Sequence, residues 1–311
     1  MSAPLKESVP AGDSVPPPPP VRRTQVPPGG RRGEGVVLNA FSHGFLALWA
    51  VLIVLPLLWL VLSAFKTDAQ IGGSAFGWPQ NWSLDVFSRA WDMGIGDYFL
   101  NTVIVLVFSV PLTMLFGSMA AYVLARYQFW GNRLLYYFFV AGAMFPVFLA
   151  LVPLFFMVKR LDMLNTYQGL ILVYVAYSMP FTVFFMHAFF RTLPSAVFEA
   201  AILDGASHTR TFFQVMLPMA KPGLLSVGIF NTLGQWNQFI LPTVLMQPQS
   251  GDDPERYVLT QGLIQLQQQQ GYASDLPVLF AGVTIAMIPM LVVYLSFQRQ
   301  VQAGLTSATL K

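Results

Sequence analysis

Residues Glu199–Pro218 read EAAILDGASHTRTFFQVMLP, which is two short helices with punctuation between them. Just upstream, Thr192-Leu193-Pro194-Ser195 offers a helix start, with proline and small hydroxyl residues suited to a first turn. Glu199 follows near that start, where the helix dipole favours an anion. Ala200 and Ala201 are strong helix formers, and they are small enough to let another backbone or a bulky side chain come close. Gly205 suits the left-handed residue that ends a helix. Ser207 can cap the next helix, which carries Phe212, Phe213, Val215 and Met216 before Pro218 stops it. The first arm, with Glu199 and Asp204, is polar enough to face a soluble partner. The second is apolar enough to pack beneath greasy neighbours.

Those neighbours are long apolar runs on both sides. The chain has 311 residues, of which 55% are hydrophobic and only 10% charged. A soluble domain carries about 25% charged residues, so this chain cannot give itself an ordinary polar surface. Six apolar segments stand out: Phe41–Phe65, Tyr98–Ala125, Leu134–Val158, Gly169–Phe190, Pro222–Met246 and Pro277–Phe297. Each supplies the ~20 residues that a helix needs to cross a hydrocarbon core of ~30 Å. None has Lys, Arg, Asp or Glu in its interior. An all-α integral membrane protein with six spans is expected. The first run is no signal peptide, because a hydrophilic stretch precedes it and it is longer than an h-region. Cysteine is absent, which excludes a disulfide frame, a thiol nucleophile and a Cys-based metal site.

Residues 1–40 are a different material, rich in Pro, Gly and Arg, and read as a disordered tail. Pro16 to Pro20 suit a polyproline II stretch, either a partner's ligand or merely solvated. The expected organisation is therefore a tail over 1–40, a six-span body over 41–298 with the hairpin region at 192–221, and a C-terminal tail over 299–311. With the N-terminus inside, the inner segments hold 12 of the 17 Lys and Arg and the outer loops 5. The positive-inside rule then places both termini and the hairpin in the cytoplasm. Every span carries or begins with proline, as hinges of a moving pathway or as ordinary membrane-helix usage.

In order and in place between two spans, Glu199-Ala200-Ala201, Asp204-Gly205-Ala206, Leu217-Pro218 and Pro222 resemble the EAA loop of permease subunits of bacterial ABC importers. The nearest likeness is to sugar-importer permeases of the MalG type. Gln235-Trp236-Asn237-Gln238-Phe239-Ile240-Leu241-Pro242 and Gln302-Ala303-Gly304-Leu305-Thr306 agree with it, and the likeness covers about residues 40–311. The ending Ser307-Ala308-Thr309-Leu310-Lys311 departs from the usual Gly-Ala-Val-Lys-like one. The resemblance implies a type I importer permease fold in a bacterial plasma membrane. It implies a coupling helix, Glu199, Ala200, Ala201, Asp204 and Gly205, docked in a groove of a cytoplasmic ATPase subunit. A second homologous permease, two ATPases and an extracytoplasmic sugar-binding protein would complete the assembly. ATP and magnesium would be held by the ATPases, with no cofactor or metal in this chain. The Pro/Arg tail and Gln-rich outer loop also resemble actinobacterial permeases for chitin-derived sugars, such as N-acetylglucosamine or its disaccharide.

Span five supplies candidates for a solute path. Asn231, Gln235 and Gln238 fall at i, i+4 and i+7, so they share one helix face. Amides facing lipid are costly, so the stripe must face other helices or water. Amides donate to and accept from sugar hydroxyls, but they also hold membrane helices together. Trp236 adds a ring face for pyranose stacking, and Asn237 lies one step off the stripe. In the outer loops, Trp78, Trp82 and Trp91 suit a docking partner or an interfacial belt. Gln267, Gln268, Gln269, Gln270 and Tyr272 suit a flexible linker or, by the resemblance, contact with the binding protein. His187 reads as a packing residue. No catalytic arrangement or Walker motif stands out, so the chain should not hydrolyse ATP. A self-sufficient secondary transporter or channel is the main rival, and it lacks the intramembrane ionisable residues expected of it. A membrane enzyme would need clustered His, Asp or Glu at one membrane face. A non-sugar solute is the nearer alternative. Nothing points to nucleic acid.

Overall fold

The computed structural model describes residues 32–270 and 275–309, with side chains over 39–268 and 275–300. All regular structure among them is helical. The chain divides into two units, residues to Val54 and residues from Leu55 on, and all the functional candidates lie in the second. In the first, the Phe45 and Trp49 rings stack 6.3 Å apart.

Helix α1 (Arg32–Ala64) starts inside the stretch expected to be a disordered tail. The last proline of the tail is Pro28, and Val36-Val37-Leu38 extend the apolar run backwards. Pro16 to Pro20 lie outside the described residues. A short α2 (Asp68–Gly73) is closed by a Thr67–Gln70 capping box. Then α3 (Asp85–Ala90) runs through a π-helical turn at Trp91–Ile95 into α4 (Gly96–Arg126). The third expected span is two helices, α5 (Asn132–Met144) and α6 (Val147–Arg160), bent by 101°. Pro146 lacks an N–H and pushes Phe145 into extended backbone (φ −76°, ψ 122°), so the helix cannot continue. Next, α7 (Tyr167–Thr192) leads to the hairpin: α8 (Ser195–Leu203), α9 (His208–Arg210), a π-helical turn at Thr211–Met216, and α10 (Leu217–Met219). The rest is α11 (Lys221–Trp236), α12 (Ile240–Leu245), α13 (Leu259–Gln270) and α14 (Leu276–Thr309). The expected C-terminal tail continues α14 as helix to Thr309.

Among the described residues, four helices are long and apolar enough to cross a membrane, and up to six spans result if each bent pair counts as one. Pro56, Pro111, Pro153, Pro180 and Pro289 sit inside helices without ending them, so a proline in a span is not by itself a break.

The spine is α4 packed along α7, with α11 against both and against α14. A Cβ on Gly117 would lie 2.4 Å from Thr182 Cγ2, so only glycine lets these two helices approach so closely. One buried cluster gathers at the hairpin end, around Tyr122, Phe190, Phe212 and Met216. Two others gather toward the far ends of α4 and α7, around Ile95, Trp236 and Leu259, and around Leu170, Leu241 and Val258. Large apolar residues such as Val107, Phe108, Phe148 and Val152 point outward. An apolar outer surface suits a protein solvated by lipid.

Candidate functional site

The hairpin is built from local signals. α8 begins behind Pro194 and ends in a Schellman turn. The Ala206 N–H donates to the Ala201 carbonyl and the Gly205 N–H to the Ile202 carbonyl, both at 3.0 Å, with Gly205 at φ 78°. Ser207 Oγ accepts from the Arg210 N–H at 3.3 Å and so caps the second arm.

None of α8 is buried. Glu199, Ala200, Asp204 and Gly205 are exposed and Ala201 is half-buried. Leu203, next to Asp204 and four residues after Glu199, is an apolar knob 87% exposed. α8 is tethered through Phe198, whose ring lies 5.8 Å from that of Tyr127 and 6.4 Å from that of Tyr122. The second arm packs inward: Phe212 and Met216 are buried, and the Phe212 ring is 5.0 Å from Tyr122. One arm thus presents a mixed acidic and apolar face, and the other roots it in the span ends.

A cavity of about 400 Å³ opens midway along the spans, where the break between α5 and α6 meets α7 and α11. Asn231, Gln235 and Gln238 all line it, with Phe145, Tyr174 and Tyr177. The amides are also tied to other helices. Asn231 Nδ2 donates to Thr182 Oγ1 at 2.9 Å. Gln235 Nε2 donates to Ser178 Oγ at 3.0 Å, and its Oε1 accepts from Ser109 Oγ. Lining and cross-linking therefore coincide in Asn231 and Gln235. A space of this size with amides, hydroxyls and aromatic rings can hold a polyol by hydrogen bonds and ring contacts.

Two expectations need correction. Gln238 does not share the helix face of Asn231 and Gln235, because α11 ends at Trp236. Pro242 has no N–H to bond the Gln238 carbonyl, which instead accepts from Thr260 Oγ1 at 2.8 Å. Asn237, exposed, closes the helix by donating to the Leu233 carbonyl at 2.8 Å. Trp236 is no stacking platform in the cavity: its indole is buried, donates to the Ala286 carbonyl at 3.2 Å, and meets Phe99 edge-on.

Ser109, Ser178 and Tyr177 were missed in the sequence. Ser109-Val110-Pro111 and Ser178-Met179-Pro180 repeat one pattern, a serine two residues before a mid-span proline. That repetition could have singled out both hydroxyls.

At the ends of the spans away from the hairpin, a polar net fastens the 247–258 loop. Asn165, at φ 53°, donates through Nδ2 to the Pro254 carbonyl at 3.0 Å, and its own carbonyl accepts from Arg256 at 2.7 Å. Tyr167 donates to Asn101 Oδ1 at 2.7 Å, and Asn101 Nδ2 to the Tyr257 carbonyl at 2.9 Å. The Asp253 carboxylate accepts from the Gln249 and Ser250 N–H groups, which hold its pKa below the ordinary carboxylate range. Burial, then the nearby Glu255, pushes the Tyr257 phenol up. The glutamine run is helical up to Gln270 rather than a flexible linker. Gln267 and Gln268 are exposed, whereas the side chains of Gln269 and Gln270, and all of Tyr272, lie outside the described residues. His187 is buried with its ring 4.2 Å from that of Tyr136, a packing role.

Residues 113–307 match the family described as binding-protein-dependent transport system inner membrane component. The chain is 49% identical over 273 residues to the diacetylchitobiose uptake system permease protein NgcG of Streptomyces coelicolor, covering 88% of this chain and 89% of that one. It is 31% identical over 259 residues to the melibiose/raffinose/stachyose import permease protein MelC of Bacillus subtilis, covering 83% and 91%. A crystal structure of a bacterial ABC transporter importing the acidic polysaccharide alginate contains a chain of the same fold. It superposes with a TM-score of 0.75 at 20% identity, over 88% of this chain and 99% of that one.

Proposed function

Because the chain belongs to the family of binding-protein-dependent transport system inner membrane components, we propose that it is the sugar-translocating permease subunit of an ATP-driven importer. A second permease pairs with it, two cytoplasmic ATPase subunits bind ATP and magnesium, and an extracytoplasmic binding protein delivers the sugar. The substrate is a short oligosaccharide of chitin type. The relative at 49% identity, named for diacetylchitobiose, supports that choice. The family of permeases carries no catalytic step of its own.

One observation carries the mechanism: a Schellman-terminated helix with no buried residue stands between two arms of the membrane body. Its outer face, with Glu199, Asp204 and Leu203, docks on an ATPase. Closure of the ATPases then pushes one rigid element, and the arm rooted by Phe212 passes the motion to the spans. Inside the membrane body, the amides of Asn231, Gln235 and Gln238 exchange hydrogen bonds with sugar hydroxyls in the cavity.

The test is uptake of radiolabelled diacetylchitobiose into proteoliposomes holding the full complex. Uptake should require both the binding protein and ATP inside the ATPase compartment. Accumulation driven by an ion gradient without ATP would reject the importer in favour of a secondary transporter. The sidedness follows from the basic residues. Since the chain has no native cysteine, single cysteines at Ala75 and Asp252 should label from outside intact cells, and one at Asp204 should not.

A further inference from the structure

Arg126 is the last residue of α4, and its guanidinium sits where three segments converge. Its Nη2 donates to the Phe190 carbonyl at 2.7 Å and to the Leu193 carbonyl at 2.6 Å. The first lies in the last turn of α7, where it also accepts the Leu193 N–H at 3.4 Å, and the second belongs to the link into α8. The same guanidinium lies 5.9 Å over the Phe198 ring of α8. Next to it, Tyr127 packs edge-on against Phe198, and its hydroxyl lies 2.9 Å from His208 Nδ1 in the second arm. Asn132 fixes this corner by donating to the Leu124 and Tyr127 carbonyls, at 3.1 and 2.7 Å. The end of α4 therefore grips both arms of the hairpin and the helix that feeds it. Seventeen residues back along the same helix, Ser109 donates to Gln235 at the cavity.

We propose that Arg126 is the positioning residue that converts hairpin displacement into movement of α4, and thereby of the Ser109–Gln235 contact at the cavity. The inference rests on the docking role proposed for α8. A charge-assisted pair of bonds to carbonyls is strong and directional, whereas Phe198 offers only a soft aromatic contact. Without the guanidinium, α8 could still dock, since its outer face does not involve Arg126. It would then rock on Phe198 and pull α4 far less, through packing contacts such as Phe212 on Tyr122 alone. The Nε of Arg126 is buried and unpaired in this arrangement, which leaves that donor free to find an acceptor when the corner shifts.

The experiment is a ratio, sugar taken up per ATP hydrolysed, measured on the reconstituted complex with its binding protein. Arg126→Met keeps a stem over Phe198 and removes every donor. The complex should still co-purify with its ATPases and hydrolyse ATP, while the ratio falls about tenfold, within the usual range for coupling between two sites. Arg126→Lys, which can still reach one carbonyl, should recover part of it. Tyr127→Phe, which removes the hydroxyl's bonds to His208 and Tyr122 but leaves the guanidinium in place, should lower it less. An unchanged ratio in an intact Arg126→Met complex overturns the proposal. So does a loss of uptake in strict proportion to hydrolysis, or to the amount of complex, because that marks a merely structural residue. If instead ATPases stay attached and fully stimulated when Glu199 is reversed to lysine, the docking role of α8 itself is wrong, whatever Arg126 does.

Discussion

The hairpin and the cavity are both made of polar residues in an apolar chain, but they are specified over different distances. The hairpin is decided within a dozen residues: Pro194 opens it, Gly205 turns it, and Ser207 restarts it. The cavity is decided by residues far apart in sequence, with Ser109, Ser178 and Gln235 meeting across three helices. Local rules predict the first and are nearly blind to the second. A substitution in the hairpin should therefore damage one function cleanly. A substitution at the cavity should disturb stability and transport together, because one amide both lines the space and ties helices.

The sharpest way to break that contrast is at the hairpin. Gly205→Val forces a β-branched residue to φ 78°, a strain of about 1–3 kcal/mol. That is too little to unfold the spans but enough to misplace α8. Glu199→Lys reverses a charge on the exposed face and opposes the helix dipole. Both variants should insert and pair with the partner permease normally, yet lose uptake and retain little ATPase on co-purification. Equal loss of inserted protein would mean that the hairpin is no more separable than the cavity.

The next largest effect is expected at Gln235. Gln235→Leu leaves the Ser109 and Ser178 hydroxyls without their partner. The cost should be about 1–2 kcal/mol, given the modest worth of such bonds between membrane helices. Melting midpoint and uptake should fall together. Gln238→Leu separates the two roles, because the Gln238 side chain bonds only the adjacent Phe239 N–H. Uptake should drop while the melting curve stays put. A stable, fully active Gln238→Leu protein would remove Gln238 from the sugar path.

The smallest effect should come from Asn165→Ala. It places alanine at φ 53° and deletes the bond to the Pro254 carbonyl, about 1–2 kcal/mol in all. Transport should be little changed, but protease should cut the 247–258 loop faster. Unchanged cleavage would show that Arg256 and Asn101 hold the loop alone.

The apolar runs, the caps and the left-handed glycine were legible in the sequence because each depends on near neighbours. Two features were not. Span five reads as one helix to Met246, since its apolar character continues past Trp236; the break is set by Pro242 acting four residues upstream together with Thr260 from α13. Trp236 reads as a ring for the sugar, since sequence does not say which way a side chain turns; its indole N–H is claimed by Ala286 on α14. The 101° bend at Pro146 was within reach, because the residue before a proline resists helix, but Pro153 in the same segment bends nothing as sharply.

Gly117 against Thr182 has a mechanical consequence. With no room for even a methyl group between them, α4 and α7 cannot slide past each other without a clash, and they cannot part without opening a void. They form a single beam. Any rearrangement that exposes the cavity first to one side and then to the other must be taken up where the backbone has no helical ladder. Those places are the joints at Phe145–Pro146 and at Asn237–Phe239, which flank the cavity from two sides. A cross-link holding α4 to α7 away from the Gly117 contact should be silent in transport, and one spanning either joint should stall it.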